Sequence, residues 1–198
     1  MTDLSTLGPY FREYFDETKR TVDAPYLMEA IQRIVPILLK ARDDDRTIFF
    51  CGNGGSSSTA SHFVVDIAKV TASRPAPGGG PRRFKCLALN DNTPSVTAWA
   101  NDADYSKVFA EPLKNLAGRG DVLVAISGSG NSPNVLEAVH AAKEIGVTVI
   151  GLTGIGGGKL KGLADVALVV PSQSMQHTED VHLMVLHFLT AYLRDRQA

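Results

Sequence analysis

Residues 46–58, RTIFFCGNGGSSS, decide the fold, because they join a short apolar run to a loop of glycine and serine. The apolar run that ends in Phe-Phe-Cys is typical of a buried strand. A helical pattern follows at once, over residues 59–70 (TASHFVVDIAKV). A strand, a glycine-rich turn and a helix in this order indicate the first half of a strand–helix–strand unit with a parallel sheet.

The same order of elements repeats towards the C-terminus. Further apolar runs predict four more strands, at residues 83–89, 121–127, 147–153 and 164–170. Each run is an almost continuous series of Val, Ile, Leu or Ala, so helices should cover both faces of the sheet. The sequence therefore predicts an α/β fold with a three-layer, doubly wound sheet of five parallel strands.

The first 45 residues are predicted to form helices that precede the sheet. Apolar residues recur at helical spacing in residues 25–44, at Leu27, Ile31, Ile34, Ile37 and Leu38. A helix pair this apolar needs a covering surface, which a second copy of the chain would supply. We predict a single domain over residues 1–198, with a helical oligomerisation extension (1–45) and an α/β core (46–198).

The composition is that of a globular protein with nearly balanced charge. Hydrophobic residues make up 44%, and 20 Lys and Arg stand against 21 Asp and Glu. With no long basic run and few aromatics, we expect no nucleic-acid partner. We also expect no membrane partner, because no stretch approaches the ~18 apolar residues of a spanning helix. The acidic N-terminus does not resemble a signal peptide, and both cysteines lie in apolar runs, so the expected compartment is the cytoplasm.

A second Gly/Ser loop repeats the pattern of the first. SGSGNS at 127–132 follows a predicted strand and opens a helix, as GNGGSSS at 52–58 does. Ligands of doubly wound sheets bind at the carboxyl ends of the strands, where both loops fall. Serine hydroxyls beside helix N-termini can hold a phosphate without a lysine or a metal, although such residues also serve as simple turns and caps. Two matching loops favour an anion site.

Three other glycine motifs do not match these loops. A dinucleotide fingerprint needs a glycine at the sixth position of GNGGSS, where Ser57 stands, and an acid about 20 residues later, whereas Asp91 comes roughly twice as far along. A P-loop needs Ser or Thr after its lysine, where this chain has Leu160. A nucleophile elbow needs glycine where Ser127 stands.

The chain resembles the sugar isomerase (SIS) domain family, and within it the phosphoheptose isomerases. The similar stretches are CGNGGSSSTASHF, LNDNTPSVTAWANDADY, GDVLVAISGSGNSPNVLEAV, VIGLTGIGGGKL and TEDVHLMVLHFL, in order between about residues 25 and 192. The resemblance implies an aldose–ketose isomerase of a phosphorylated sugar, most simply sedoheptulose 7-phosphate. It also implies a homotetramer with sites at subunit contacts and, as in many members, zinc.

The resemblance assigns a substrate site residue by residue. It implies that Asn53, Gly54 and Gly55 contact the sugar, with the Asn101–Asp102 pair nearby. The phosphate would lie among small residues of both loops: Ser56, Ser127, Gly128, Ser129 and Ser132. Where Gly128 stands, the family often has threonine, so this loop has one hydroxyl fewer.

A metal and catalytic set is implied in the same way. It consists of His62, Asp66, Glu179 and His187, with Asp66 as base, His187 as acid or ligand, and Glu179 also facing the substrate. Asp66 replaces a glutamate of the family and Glu179 a glutamine. Both changes keep oxygen ligands, but a carboxylate about 1.5 Å short can lower a rate by orders of magnitude unless the site has adjusted.

Helical spacing limits how these four residues can meet. His62 and Asp66 are four residues apart and share a helix face, so they could hold one ion or simply pair with each other. Glu179 and His187 are eight apart, about 12 Å on a straight helix. Either Glu179 precedes the helix, or the two ligands come from different copies. His182, in the same apolar helix, is more typical of a packing residue.

Two other functions compete with the isomerase. One is a non-catalytic, phosphosugar-binding SIS protein that acts as an interaction module, as in the replication-initiator-associating type; such members lack the residues that match Asp66 and His187. The other is a phosphosugar-sensing domain of a regulator, but no DNA-binding segment accompanies the domain. The retained Asp66 and His187 favour the enzyme. The Pro/Gly loop at 72–81 is the expected lid.

Overall fold

The computed structural model of the protein describes residues 4–73 and 83–195. Within these residues, five strands form one sheet in the order β2-β1-β3-β4-β5, and every neighbouring pair is parallel. The strands are β1 (Thr47–Gly52), β2 (Lys85–Ala88), β3 (Val122–Ser127), β4 (Thr148–Thr153) and β5 (Val166–Val169). The predicted doubly wound α/β fold is confirmed.

Helices connect the strands and cover the sheet. They are α1 (Leu7–Val22), α2 (Pro25–Asp43), α3 (Gly55–Val70), α4 (Thr93–Asp102), α5 (Ala110–Leu116), α6 (Pro133–Ile145), α7 (Gly158–Leu163) and α8 (Met175–Asp195). The sequence patterns did not predict α7, which begins at Gly158. This helix has six residues and begins at the last of three consecutive glycines. It is too short to show a helical periodicity of apolar residues.

Two apolar cores lie on opposite faces of the sheet, as a three-layer architecture requires. Phe50 of β1 packs in one core with residues of α2, α3 and α8, and its neighbour Phe49 packs in the other with residues of α5 and α6. Successive residues of a strand point to opposite faces. Full burial of one phenylalanine contributes about 1.5–3 kcal/mol, so this pair stabilises the sheet against both layers.

The two helices of the N-terminal extension differ in how much of their apolar surface is buried. Helix α2 buries its apolar stripe against the sheet, including Leu27, Ile31 and Ile34, and continues through Pro36. Helix α1 buries only Thr18 and Thr21 and contacts α8. The apolar residues of α1 that remain more than half exposed are Leu7, Tyr10, Phe11 and Phe15. This uncovered face is what an oligomerisation extension would have, and that division of the chain stays a prediction.

The strand order places the turning point of the sheet between β1 and β3. These strands are direct neighbours, with Gly52 opposite Ile126 near their carboxyl ends. From this point the chain winds towards β2 on one side and towards β4 and β5 on the other, which is where sheets of this order bind ligands. Both Gly/Ser loops leave the sheet here, side by side.

Two predictions concern other parts of the chain. The segment 72–81, the expected lid, lies outside the described residues from residue 74 onwards, so that hypothesis stays open. In the described ranges, none of the helices is long and apolar enough to span a membrane.

Candidate functional site

The loop after β3 gathers its serine hydroxyls into one turn. Ser127 is buried, and its Oγ lies 3.0 Å from Oγ of Ser132. The turn is closed by the backbone, since the amide of Gly130 donates to the carbonyl of Ser127 at 2.9 Å. Ser129 Oγ accepts from the amide of Asn131 at 3.2 Å. The 13-residue helix α6 begins directly after Ser132, so the loop lies at a helix N-terminus, which attracts anions.

The loop after β1 has the same relation to α3. Gly54 precedes the helix, Gly55 is its first residue and Ser56 is buried in the first turn. The amide groups at this end of a 16-residue helix carry the positive end of its dipole. The sequence predicted a cradle of two hydroxyl-bearing helix N-termini, and the structure brings these two termini to neighbouring strands.

A pair of asparagine side chains joins the two loops. Asn53 Nδ2 donates to Asn134 Oδ1 at 2.9 Å, and Asn134 Nδ2 donates back to Asn53 Oδ1 at 2.8 Å. The hydroxyl of Tyr105 donates to the same Asn53 oxygen at 3.3 Å. Asn53 was expected at the site, whereas Asn134 and Tyr105 were not. The available signal was their closeness in the chain to predicted site residues: Asn134 comes two residues after Ser132, and Tyr105 three residues after Asp102.

The predicted Asn101–Asp102 pair lies on the exposed C-terminal end of α4. Asn101 Nδ2 donates to Asp102 Oδ1 at 2.7 Å. Tyr105 follows three residues later and reaches Asn53. Tyr105 thus links the segment that follows α4 to the first loop.

Three of the four predicted metal ligands come together between α3 and α8. His62 Nε2 lies 3.4 Å from Asp66 Oδ2, and His187 Nε2 lies 3.7 Å from the same oxygen. The two histidine nitrogens are 3.4 Å apart. Ligand atoms around a tetrahedral zinc ion at about 2.0–2.1 Å are separated by about 3.4 Å. The spacing of these two imidazoles and the carboxylate is close to that of zinc ligands.

This cluster faces outwards. The side chains of His62 and His187 are 46% and 51% exposed, and that of Asp66 is 26% exposed. A catalytic zinc keeps a position open for water or substrate. The exposure leaves room for that position and for a ligand from outside the chain.

Glu179 is not part of this cluster in the single chain. It lies inside α8, so the alternative in which it precedes the helix is wrong. Its carboxylate packs directly over Gly55, where a Cβ atom would collide with it. The four predicted ligands therefore separate into a group of three and one carboxylate at the start of α3.

The missing hydroxyl at position 128 has a structural explanation. A Cβ atom on Gly128 would collide with the sulfur of Met175, the first residue of α8. The thioether of Met175 occupies the space in which a larger residue of the loop would lie. Met175 was not expected at the site, because nothing in the local sequence connects it with a loop 47 residues earlier.

His182 is a packing residue, as predicted. It is 1% exposed, and its Nε2 lies 3.2 Å from the carbonyl oxygen of Thr153. Burial lowers the pKa of His182 to about 4, and the hydrogen bond to Thr153 opposes this only in part. The imidazole is therefore neutral at neutral pH and donates from Nε2.

This buried imidazole predicts an acid-sensitive fold. The folded-state pKa of His182 lies below the unfolded value near 6.5, so the unfolded chain takes up the proton first. Neutral His182 contributes fully to the free energy of unfolding above pH 6.5. As the pH falls towards 4, this contribution is lost, and the free energy of unfolding decreases by about 3 kcal/mol. Urea unfolding at a series of pH values measures this loss. His182→Gln should flatten the dependence, whereas His140→Gln, at an exposed position, should leave it unchanged.

Comparisons with known proteins find relatives that match most of this chain. A family model described as the SIS domain matches residues 13–154. The phosphoheptose isomerase of Helicobacter pylori (strain P12) is 36% identical over 180 residues, which cover 90% of this chain and 89% of that protein. The phosphoheptose isomerase of Mycobacterium bovis (strain BCG / Pasteur 1173P2) is 37% identical over 98% of this chain and 95% of its own length.

The fold is similar to that of a solved relative. The structure of phosphoheptose isomerase GmhA from Neisseria gonorrhoeae superimposes with a TM-score of 0.85 at 32% sequence identity. The match covers 96% of this chain and all of the gonococcal chain. The likeness therefore includes the N-terminal helices as well as the sheet.

Proposed function

The chain belongs to the SIS domain family, and we propose that it is an aldose–ketose isomerase that converts sedoheptulose 7-phosphate to glycero-manno-heptose 7-phosphate. One observation supports this most. The two Gly/Ser loops meet at the turning point of the sheet, and the helix that leaves the first loop carries His62 and Asp66 to His187. An anion site and a proton-transfer site are thus held by one helix.

The phosphate is assigned to the paired helix N-termini. Ser56, Ser127, Ser129 and Ser132 supply hydroxyls, and Gly128 keeps the loop free of a side chain that would collide with Met175. Asn53, Gly54 and Gly55 are assigned to the sugar end, and so are Asn101 and Asp102, which precede Tyr105 by four and three residues. Hydrogen-bond donors aimed at one point bind a dianion without a lysine.

Proton transfer is assigned to Asp66 and His187. The Asp66 carboxylate removes a proton from C1 of the ketose, which gives an enediolate, and returns a proton to C2 of the product. His187 donates to and accepts from the neighbouring sugar oxygen. Zinc held by His62, Asp66 and His187 would supply positive charge that stabilises the developing oxyanion.

The site is completed in a homotetramer. Glu179 is the fourth metal ligand of the proposed set and also faces the substrate, and it comes from a neighbouring copy, because its own α8 separates it from His187 by eight residues. Exposed apolar residues adjoin the cluster along the chain: Val65 on α3 precedes Asp66, and Phe188 on α8 follows His187. Uncovered apolar side chains next to the metal ligands in the chain are what a subunit contact at the site would leave on one chain.

The oligomer is expected to control metal binding. Phe11→Asp with Phe15→Asp places charges on the uncovered face of α1 and should reduce the mass in solution from four chains to a smaller species. Zinc content per chain, measured by atomic emission, should fall with it. Lys40→Asp, on an exposed part of α2, is the control and should change neither. Zinc retained in full by dissociated chains would contradict the shared site.

The activity is tested by incubation of the purified protein with sedoheptulose 7-phosphate, with and without a chelator, and detection of the aldoheptose phosphate. Turnover that the chelator abolishes is the expected result. Tight binding without turnover would instead support a non-catalytic, phosphosugar-binding interaction module. No binding would contradict both functions.

The proposed compartment is the cytoplasm. Cys51 is buried and Cys86 half-buried, and both are free thiols. Burial raises the pKa of each to about 12, so neither is poised for oxidation.

A further inference from the structure

We infer that Asn134 is a positioning residue, which holds Asn53 and thereby fixes the sugar loop against the phosphate loop. The effect of Asn134 on kcat rests on the proposed function, whereas its hydrogen bonds to Asn53 do not. Asn134 lies in the first turn of α6, directly after the phosphate loop, and is 2% exposed. It is buried too deeply to meet a ligand itself.

The amide pair satisfies Asn134 through Asn53. Asn134 Oδ1 accepts from Asn53 Nδ2 at 2.9 Å and from the amide of Val135 at 3.0 Å. Asn134 Nδ2 donates to Asn53 Oδ1 at 2.8 Å. A buried carboxamide that loses its partner is costly, because no water replaces the lost bond. Asn134 therefore stabilises one orientation of the Asn53 side chain.

The same contacts define what Asn53 can offer to a sugar. Its Oδ1 accepts from Asn134 and from the hydroxyl of Tyr105, so both acceptor positions are used. Its Nδ2 gives one hydrogen to Asn134 and keeps the second. The Asn53 side chain thus faces the substrate as a hydrogen-bond donor, which suits a carbonyl or enediolate oxygen and not a hydroxyl hydrogen.

The pair also bridges the turning point of the sheet. Asn53 follows β1 and Asn134 follows β3, so the two side chains connect loops that are 81 residues apart in the chain. A phosphosugar that spans both loops needs a fixed distance between them. A misplacement of about 1 Å is enough to lower a rate roughly 100-fold.

A double-mutant cycle tests whether Asn134 acts through Asn53. Asn134→Ala should lower kcat/KM for sedoheptulose 7-phosphate about 30- to 100-fold, mainly through kcat. In an Asn53→Ala background the same change should cost less than about threefold, since the positioned group is already absent. Asn115→Ala, on the exposed face of α5, is the matched control and should stay within about twofold of the unmodified protein. Fully additive losses would overturn the inference.

A second readout does not depend on turnover. Amide hydrogen exchange of residues 52–58 should be about tenfold faster in Asn134→Ala, and unchanged in Asn115→Ala. Unchanged exchange would overturn the inference even if activity falls. If the unmodified protein shows no isomerase activity, the proposed function fails and the exchange rates still decide the role of Asn134.

A milder variant covers the case in which Asn134→Ala does not fold. Tyr105→Phe removes only the phenolic donor to Asn53 Oδ1, and Tyr105 is exposed, so the fold should persist. It should lower kcat about two- to fivefold and leave one acceptor position of Asn53 free. No change in kcat or in exchange of residues 52–58 would contradict the role given to Asn53.

Discussion

Asp66→Asn is expected to lower kcat for sedoheptulose 7-phosphate by about 10²–10⁴-fold and to change KM little. Asparagine has nearly the shape of aspartate but cannot accept the C1 proton. The variant should also fail to exchange that proton with solvent, which NMR in D2O measures directly. Asp44→Asn is the matched control, because the Asp44 carboxylate forms an ion pair with Lys40 at the surface. Full activity in Asp66→Asn would exclude Asp66 as the base.

Asp66→Glu tests whether the site has adjusted to the shorter carboxylate. His62 and His187 already lie 3.4 and 3.7 Å from Asp66 Oδ2, at the spacing of ligands around one ion. A side chain longer by one methylene would push its oxygen past this position. We expect Asp66→Glu to lower kcat about tenfold and to reduce zinc content. A rise in kcat would mean instead that the native base is misplaced.

The sequence predicted the elements of the site better than their contacts. Strand-to-helix corners with glycine and serine are local patterns, so the positions of Ser56 and Ser127 followed from reading along the chain. Asn134 and Met175 were missed because their partners, Asn53 and Gly128, are 81 and 47 residues away. Spacing in the chain does not encode such distances. Only the packed sheet brings these residues together.

The order of the strands in the sheet also cannot be predicted from local sequence patterns. The apolar runs predicted five parallel strands, but they do not say which strands are neighbours. The two loops lie together because β1 is a neighbour of β3 as well as of β2. Helical spacing was more informative for Glu179 and His187. Because they are eight residues apart, it indicated that they could not bind the same ion from one straight helix, and the structure places both inside α8.

The phosphate loop itself should be the least tolerant part of the fold. Gly130 has φ of +66°, and a Cβ atom there would collide with the carbonyl oxygen of Gly157. The two nearest atoms belong to the backbone of Gly157, which cannot move aside as the end of a flexible side chain can. The left-handed conformation costs about 1 kcal/mol for alanine, and the collision costs about 1–3 kcal/mol more. Gly130→Ala should therefore destabilise the protein by about 2–4 kcal/mol.

A second glycine separates the collision from the backbone conformation. Gly156 has φ of +81°, but a Cβ atom there would have no neighbour within 4 Å. Gly156→Ala should cost only about 1 kcal/mol, and it should keep affinity for inorganic phosphate. Gly130→Ala should lose that affinity, because the turn that groups Ser127 with Ser132 must open to admit the methyl group. Urea unfolding and phosphate titration of both variants measure the difference. Equal stability and equal phosphate affinity of the two variants would contradict the tight packing of Gly130 against Gly157.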